Sequence, residues 1–174
     1  MSVRRVVIAP HADDETLGCG GLLAKHPKDT AVIVLTKPDD VRLKEFYEAQ
    51  RVLGYEKHFF LDHSDGDVAR DMRKLTSQID SLLNTLQPEQ LYLPYPASHQ
   101  DHIAAYEAGI RSARLSMGSN HWYTQTVRVY DVSCYDLNLY QTGLQWNSFL
   151  SLTEAQVEQK AAALGMYTSQ SVQG

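Results

Sequence analysis

Short apolar runs alternate along this chain with segments whose apolar residues recur every three or four positions. Val6-Val7-Ile8-Ala9, Ala31-Val32-Ile33-Val34-Leu35, His58-Phe59-Phe60-Leu61 and Leu91-Tyr92-Leu93 are too short for helices and largely unbroken by polar residues. That is the pattern of strands covered on both faces. Strands are expected at about 3–9, 31–35, 58–61 and 91–93, with an alternating, edge-like fifth at 127–132. Between them, helices are expected at 15–25, up to Leu53 before Gly54, at 68–86 before Pro88, and at 101–115. The third is the clearest, with Val68, Met72, Leu75, Ile79, Leu82 and Leu86 forming one apolar stripe. A last helix starts at Thr153, where Gln156 completes a capping box, and ends near Gly165. Such alternation predicts βαβ units and an α/β fold: a doubly wound, mostly parallel sheet with helices on both faces. The small residues Gly18, Gly20 and Gly21 would let the first helix lie close to the sheet.

No repeat, low-complexity tract or linker divides the 174 residues, so residues 1–174 read as a single domain. The net charge of −5 and the lack of a basic block give nucleic acid and anionic membrane no electrostatic hold. No run approaches the ~20 apolar residues of a membrane span, and the N-terminus lacks the core and cleavage site of a signal peptide. Cys19 and Cys134 are too few for a disulfide framework and suit a reducing compartment. The expectation is a soluble, cytoplasmic protein.

Where the first strand ends, the sequence reads Pro10-His11-Ala12-Asp13-Asp14-Glu15. Three crowded acids suit a helix N-terminus, but they also call for a cation or a proton to relieve their repulsion. After the fourth strand comes Ser98-His99-Gln100-Asp101-His102, in which Ser98 and Asp101 also match a capping box. In a doubly wound sheet the strand that opens the second half lies beside the first strand. The two loops then share the crevice at the switch of winding, where ligands collect. Two histidines and a carboxylate from facing loops are the ligand set of a catalytic zinc with one open position. His11, Asp14 and His102 are the expected ligands. Asp13 stands beside them to take a proton from a water, and His99 to stabilise an oxyanion or protonate a leaving amine. Asp101 would hold one imidazole in its working tautomer.

These two motifs resemble the paired signature of the PIG-L/LmbE-type de-N-acetylases, zinc enzymes of Rossmann-like fold, many of which deacetylate N-acetylglucosamine conjugates. The similarity continues through Leu17-Gly18-Cys19-Gly20-Gly21, Arg42-x-x-Glu45-x-x-x-Ala49-x-x-x-Leu53-Gly54, Asp65-Gly66 and Lys160-x-x-Ala163-x-x-x-Tyr167-x-Ser169-Gln170. The resemblance implies zinc at His11, Asp14 and His102, with iron(II) accepted by the same ligands. It implies Asp13 as general base, His99 at the tetrahedral intermediate, and Arg42 and Asp65 toward the substrate, a small molecule or glycoconjugate. Read locally, Arg42 could instead pair with Glu45 one turn on, and Asp65 could be a turn residue. Glu15 is left to the helix N-terminus or to a contact behind the ligands.

Relatives often continue for tens of residues past the closing motif and carry a longer loop at 36–42. The shorter forms here predict an open site, or one completed by another subunit of a homo-oligomer or by a bulky substrate. No tyrosine immediately precedes His99; Tyr95 is a candidate substitute at the oxyanion that no motif supports. A dinucleotide site fails because Gly18-x-Gly20-Gly21 lies inside the helix and the acids would repel a pyrophosphate. An iron(II) oxygenase would share the ligands but would not need Asp13 and His99 beside them. The non-enzyme alternative is a metal-retaining carbohydrate-binding module of the same fold.

Overall fold

The computed structural model describes residues 2–96, 98–116, 118, 121–132 and 145–170. Cys134, used above, lies outside them. The strands are β1 (Arg5–Ala9), β2 (Thr30–Thr36), β3 (Lys57–His63), β4 (Gln90–Pro94) and β5 (Thr126–Tyr130). The helices are α1 (Asp14–Lys25), α2 (Asp40–Leu53), α3 (Met72–Leu86), α4 (Gln100–Ser112) and α5 (Glu154–Leu164). The strands form one sheet in the order β3-β2-β1-β4-β5, every described pair parallel. The winding reverses between β1 and β4, so the two motif-bearing loops are neighbours, as expected.

Alternate residues of β1 and β2 face opposite layers because side chains alternate along a strand. Val7, Ala9, Val32 and Val34 face α1, α2 and α5, packing with Leu23, Phe46, Leu53 and Ala163. Val6, Ile8, Ile33 and Leu35 face α3 and α4, packing with Leu75, Ile79, Leu83 and Ala105. The apolar runs are unbroken because both faces are covered.

The ends of the elements follow local chemistry. Asp39 caps α2 by accepting from the Arg42 N–H at 2.8 Å, and Gly54 closes it at φ 80°, a left-handed geometry that favours glycine. The Thr153/Gln156 capping box forms in both directions. The expected stripe packs on the core, joined by Leu83, but the helix starts later. Val68–Asp71 is a 3-10 turn, and the α-helix begins only after Asp71, whose side chain accepts from the Lys74 N–H. From there the inward positions are Leu75, Ile79 and Leu83, while Leu82 and Leu86 flank them half-buried. The glycines of α1 also divide. A Cβ on Gly18 would meet the Tyr130 ring, but Gly20 lies against Lys160 and Gly21 against Leu152. Gly18 therefore meets the sheet, and the other two admit α5 and the segment leading to it. No helix among the described residues is long and apolar enough to cross a membrane.

Gly18→Ala gains helix propensity of about 1 kcal/mol, yet its Cβ would overlap a buried Tyr130 ring carbon, and that ring's hydroxyl is bonded to the Ile8 carbonyl. The overpacking should win, with a net loss of about 1–3 kcal/mol in denaturant unfolding. A stabilised variant would show that α1 can slide away from β5.

Candidate metal and catalytic centre

At the end of β1 the chain turns through Pro10, whose carbonyl accepts from Thr36 N–H and hydroxyl on β2 at 3.1 and 3.0 Å. This lifts His11, Asp13 and Asp14 to the rim of the sheet. The acids do not cap α1. Asp13 occupies the N-cap position without a side-chain cap bond, and Asp14 turns inward to 1% exposure. One oxygen of Asp14, Oδ2, lies 2.9 Å from the His11 backbone N, 3.2 Å from His11 Nδ1 and 3.4 Å from His102 Nε2. His102 arrives from the first turn of α4, itself 1% exposed. Three expected ligands from the two halves of the sheet thus converge on one point.

Buried charge sets the protonation there. Burial alone would raise Asp14, but hydrogen bonds and charge from His102 and His11 outweigh it and hold its carboxyl at about 2. Burial would lower His11, but Asp14, Asp101 and Asp65 outweigh that and raise it to about 9. Asp13 moves the other way from Asp14: burial and the neighbouring Asp14 push it above the usual carboxylate range, against the pull of Arg42.

Asp101 is fully buried and satisfies several donors at once. Its Oδ2 accepts from Gly66 N–H at 2.7 Å and faces His11 Nε2 at 3.1 Å, and its Oδ1 accepts from Val68 N–H at 3.2 Å. The β3 loop is thereby tied to the crevice. Gly66 stands at φ 75°, and the register of β3 against β2 shifts beyond Val34, close to Asp62 at φ 58°. This bent loop brings Asp65 Oδ1 to 3.1 Å from His11 Nε2 while leaving its side chain 74% exposed.

Ser98 does not cap α4. The cap is His99, whose Nδ1 accepts from the Asp101 N–H at 3.2 Å. An accepting Nδ1 leaves the proton of a neutral ring on Nε2. The His99 and His11 rings meet edge to face at 4.9 Å.

Donor atoms of His and Asp side chains gather in two overlapping groups around His11: His11 with Asp14 and His102, and His11 with Asp65, His99 and Asp101. The first suits an ion better. Its carboxylate is buried and shared by both imidazoles, whereas Asp101 is occupied by two backbone N–H groups and Asp65 is mostly solvated. Asp101 Oδ2 lies 3.1 Å from His11 Nε2, and His11 Nδ1 faces Asp14 Oδ2 at 3.2 Å.

A cavity of about 380 Å³ opens beside this centre, lined by His11, Asp13, Arg42, Asp65 and His99, with Lys37 and Gln170 at its wall. Apart from Tyr95 and the buried Asp14, Asp101 and His102, every residue expected at the chemistry borders it. Tyr95, expected as a substitute at the oxyanion, is not among its lining residues. A larger hollow of about 560 Å³ lies beside β5 and α1 and touches none of these residues. Arg42 is more engaged than expected: it pairs with Asp13 Oδ2 at 2.5 Å, with the Ala12 carbonyl at 3.3 Å and with Glu45 Oε2 at 3.7 Å. Glu15 is neither a cap nor solvated. It is buried, pushed up to about 7 by that burial, and accepts from Thr16 Oγ1 at 2.7 Å and the Tyr167 hydroxyl at 2.8 Å. Gln170 and Tyr167 belong to the closing motif, whose likeness to the family was the signal that the C-terminal segment matters.

The GlcNAc-PI de-N-acetylase (PIG-L) family matches residues 6–113, more than half of the chain, and this protein belongs to that family. The conserved protein TT1542 from Thermus thermophilus superposes with a TM-score of 0.77 at 28% identity, covering 97% of this chain and 80% of that one. The N,N'-diacetylchitobiose deacetylase from Pyrococcus horikoshii superposes with a TM-score of 0.75 at 20% identity, covering 98% and 71%. The 4-carboxy-2-hydroxymuconate hydratase GalB from Pseudomonas putida KT2440 does so with 0.76 at 18%, covering 98% and 80%. At the identities of the last two, the likeness is one of fold.

A cation ligated by His11 needs the neutral ring, and in the ion-free protein that ring holds its proton to about pH 9. Binding at pH 7 should therefore release about one proton, and affinity should fall roughly tenfold per pH unit as pH drops below 9. Calorimetric titration in buffers of different ionisation enthalpy measures this, and pH-independent binding would remove His11 from the ligands.

Proposed function

We propose that this chain is a metal-dependent N-deacetylase that hydrolyses the acetamido group of an amino sugar or its conjugate, of the N-acetylglucosamine type. The observation that carries the proposal is the convergence of His11 Nδ1 and His102 Nε2 on one oxygen of Asp14, with Asp13 beside it on the cavity wall. Zinc fits these donors, and iron(II) would accept them. Such an ion supplies Lewis acidity, polarising the amide carbonyl and making a water easier to deprotonate.

The chain's own groups do the rest. Asp13, its carboxyl raised by burial and by Asp14 and paired with Arg42, accepts the proton of the attacking water and delivers it to the departing amine nitrogen. That proton goes where the C–N bond breaks, giving the amine and acetic acid; the water's second hydrogen, left on the acid, then passes to the amine, so acetate and a protonated amine leave in balance. His99, with Nδ1 occupied by the α4 backbone, offers its Nε2 proton to the oxyanion. Asp101 keeps His11 in one ring orientation. Arg42 and Asp65 border the cavity, which supports contact with sugar hydroxyls or neighbouring groups. Solvent-facing Asp65 is the freer of the two for that contact.

Acetate release from a panel of N-acetylated sugars and sugar conjugates is the direct test. Asp13→Ala should lower kcat by on the order of a hundredfold or more while keeping the ion, and His102→Ala should lose ion and turnover together. Protein that carries no stoichiometric divalent ion under replete conditions would overturn the proposal. A metal-loaded protein that binds members of the panel and releases no acetate would be the binding module instead.

A further inference from the structure

Glu45 is a buried carboxylate that the proposed reaction does not use. It sits on α2 with 5% exposure. Its oxygens accept from Ser169 N–H at 2.7 Å, Ser169 Oγ at 2.7 Å and Thr168 Oγ1 at 3.0 Å. It also faces Arg42 Nε at 3.7 Å, one turn back on the same helix. The other edge of that guanidinium holds Asp13 and the Ala12 carbonyl, and its face lies over the Tyr167 ring, 5.7 Å from the centroid. The Tyr167 hydroxyl is itself anchored on Glu15. Arg42 therefore has a carboxylate on each side and an aromatic ring beneath it, all from separate parts of the chain.

We infer that Glu45 is a positioning residue: held by Thr168 and Ser169, it fixes Arg42, and Arg42 fixes the Asp13 carboxylate in the cavity wall. The inference rests on Asp13 being the base. Asp13 adjoins Asp14, and two neighbouring carboxylates repel. A cation offsets that repulsion only where it is kept in place. An arginine in one rotamer loses side-chain freedom unless its surroundings already order it. Here three donors order Glu45 first, so its charge meets Arg42 without further cost in freedom. The planar fork of arginine can serve two acids on different edges, which a lysine cannot do. Exposed pairs of this i,i+3 spacing contribute little, but these side chains are only 17% and 7% exposed.

The test is a double-mutant cycle on the ion-loaded enzyme, using the best substrate of the acetate-release panel. Glu45→Gln should lower kcat by on the order of a hundredfold, as expected for a misplaced reacting group, with KM raised far less through the loosened Arg42 and the bound ion retained. Added to Arg42→Lys it should cost little more, because both act through one guanidinium. Losses that multiply, or a change confined to KM, would overturn the inference. Ser169→Ala leaves both charges in place and should give a smaller loss in kcat of the same kind; it replaces Glu45→Gln if that variant does not fold. A crystal structure of the variant supplies a readout without turnover: Arg42 should have left Asp13, and a retained Arg42–Asp13 bond overturns the inference. If the wild type released no acetate from any substrate, the proposed function would fail, and the crystal structure alone would decide the positioning.

Discussion

Asp14 carries its charge at 1% exposure, between two imidazoles that come from opposite halves of the sheet. Burying a carboxylate costs several kcal/mol unless cationic partners and hydrogen bonds offset it. The partners exist only if β1 and β4 are neighbours, if the Pro10 turn lifts His11, and if α4 begins where His102 faces inward. The packing on both faces of the sheet serves that alignment. Gly18 against Tyr130 of β5 and Gly109 against Leu93 of β4 let α1 and α4, on opposite sides, come close to the sheet. A shift of either helix would separate Asp14 from one of its imidazoles and leave the charge uncompensated.

The fold was legible because a sheet covered on both faces writes itself as short unbroken apolar runs, and the reversal of winding follows from the alternation of elements. The candidate ligand set was legible because residue type and strand end coincide: His11, Asp14 and His102 sit where the topology says a ligand collects. What escaped was whatever depends on a helix start. A 3-10 turn at Val68–Asp71 delayed the start of α3 to Met72, and a histidine took the cap that Ser98 promised. Propensity favours Ser98 as a cap, whereas His99 occupies that position and borders the crevice.

Glu45 shows the other limit. On a helical wheel it is an acid one turn from Arg42, indistinguishable from a solvated pair. Its burial comes from residues 123 and 124 positions later in the chain. Asp101 is read in part: it faces the His11 imidazole as expected, while its bonds to the backbone N–H groups of the β3 loop, 35 and 33 positions away, were not legible. Fold likeness cannot supply such roles, since a deacetylase and a hydratase both superpose on this chain. Function resides in the side chains at the crevice.

The hydroxyl of Tyr167 reaches Glu15 across 152 positions of sequence. Contacts so distant close late, because the entropy of a long loop must be overcome before they reward it. On the ribosome, the first motif is made well before the segment that anchors Glu15 and shields Arg42, which follows all five strands. A nascent chain can thus assemble its sheet while the crevice still lacks its brace. The acquisition of structure and the acquisition of a competent site become separate events in time.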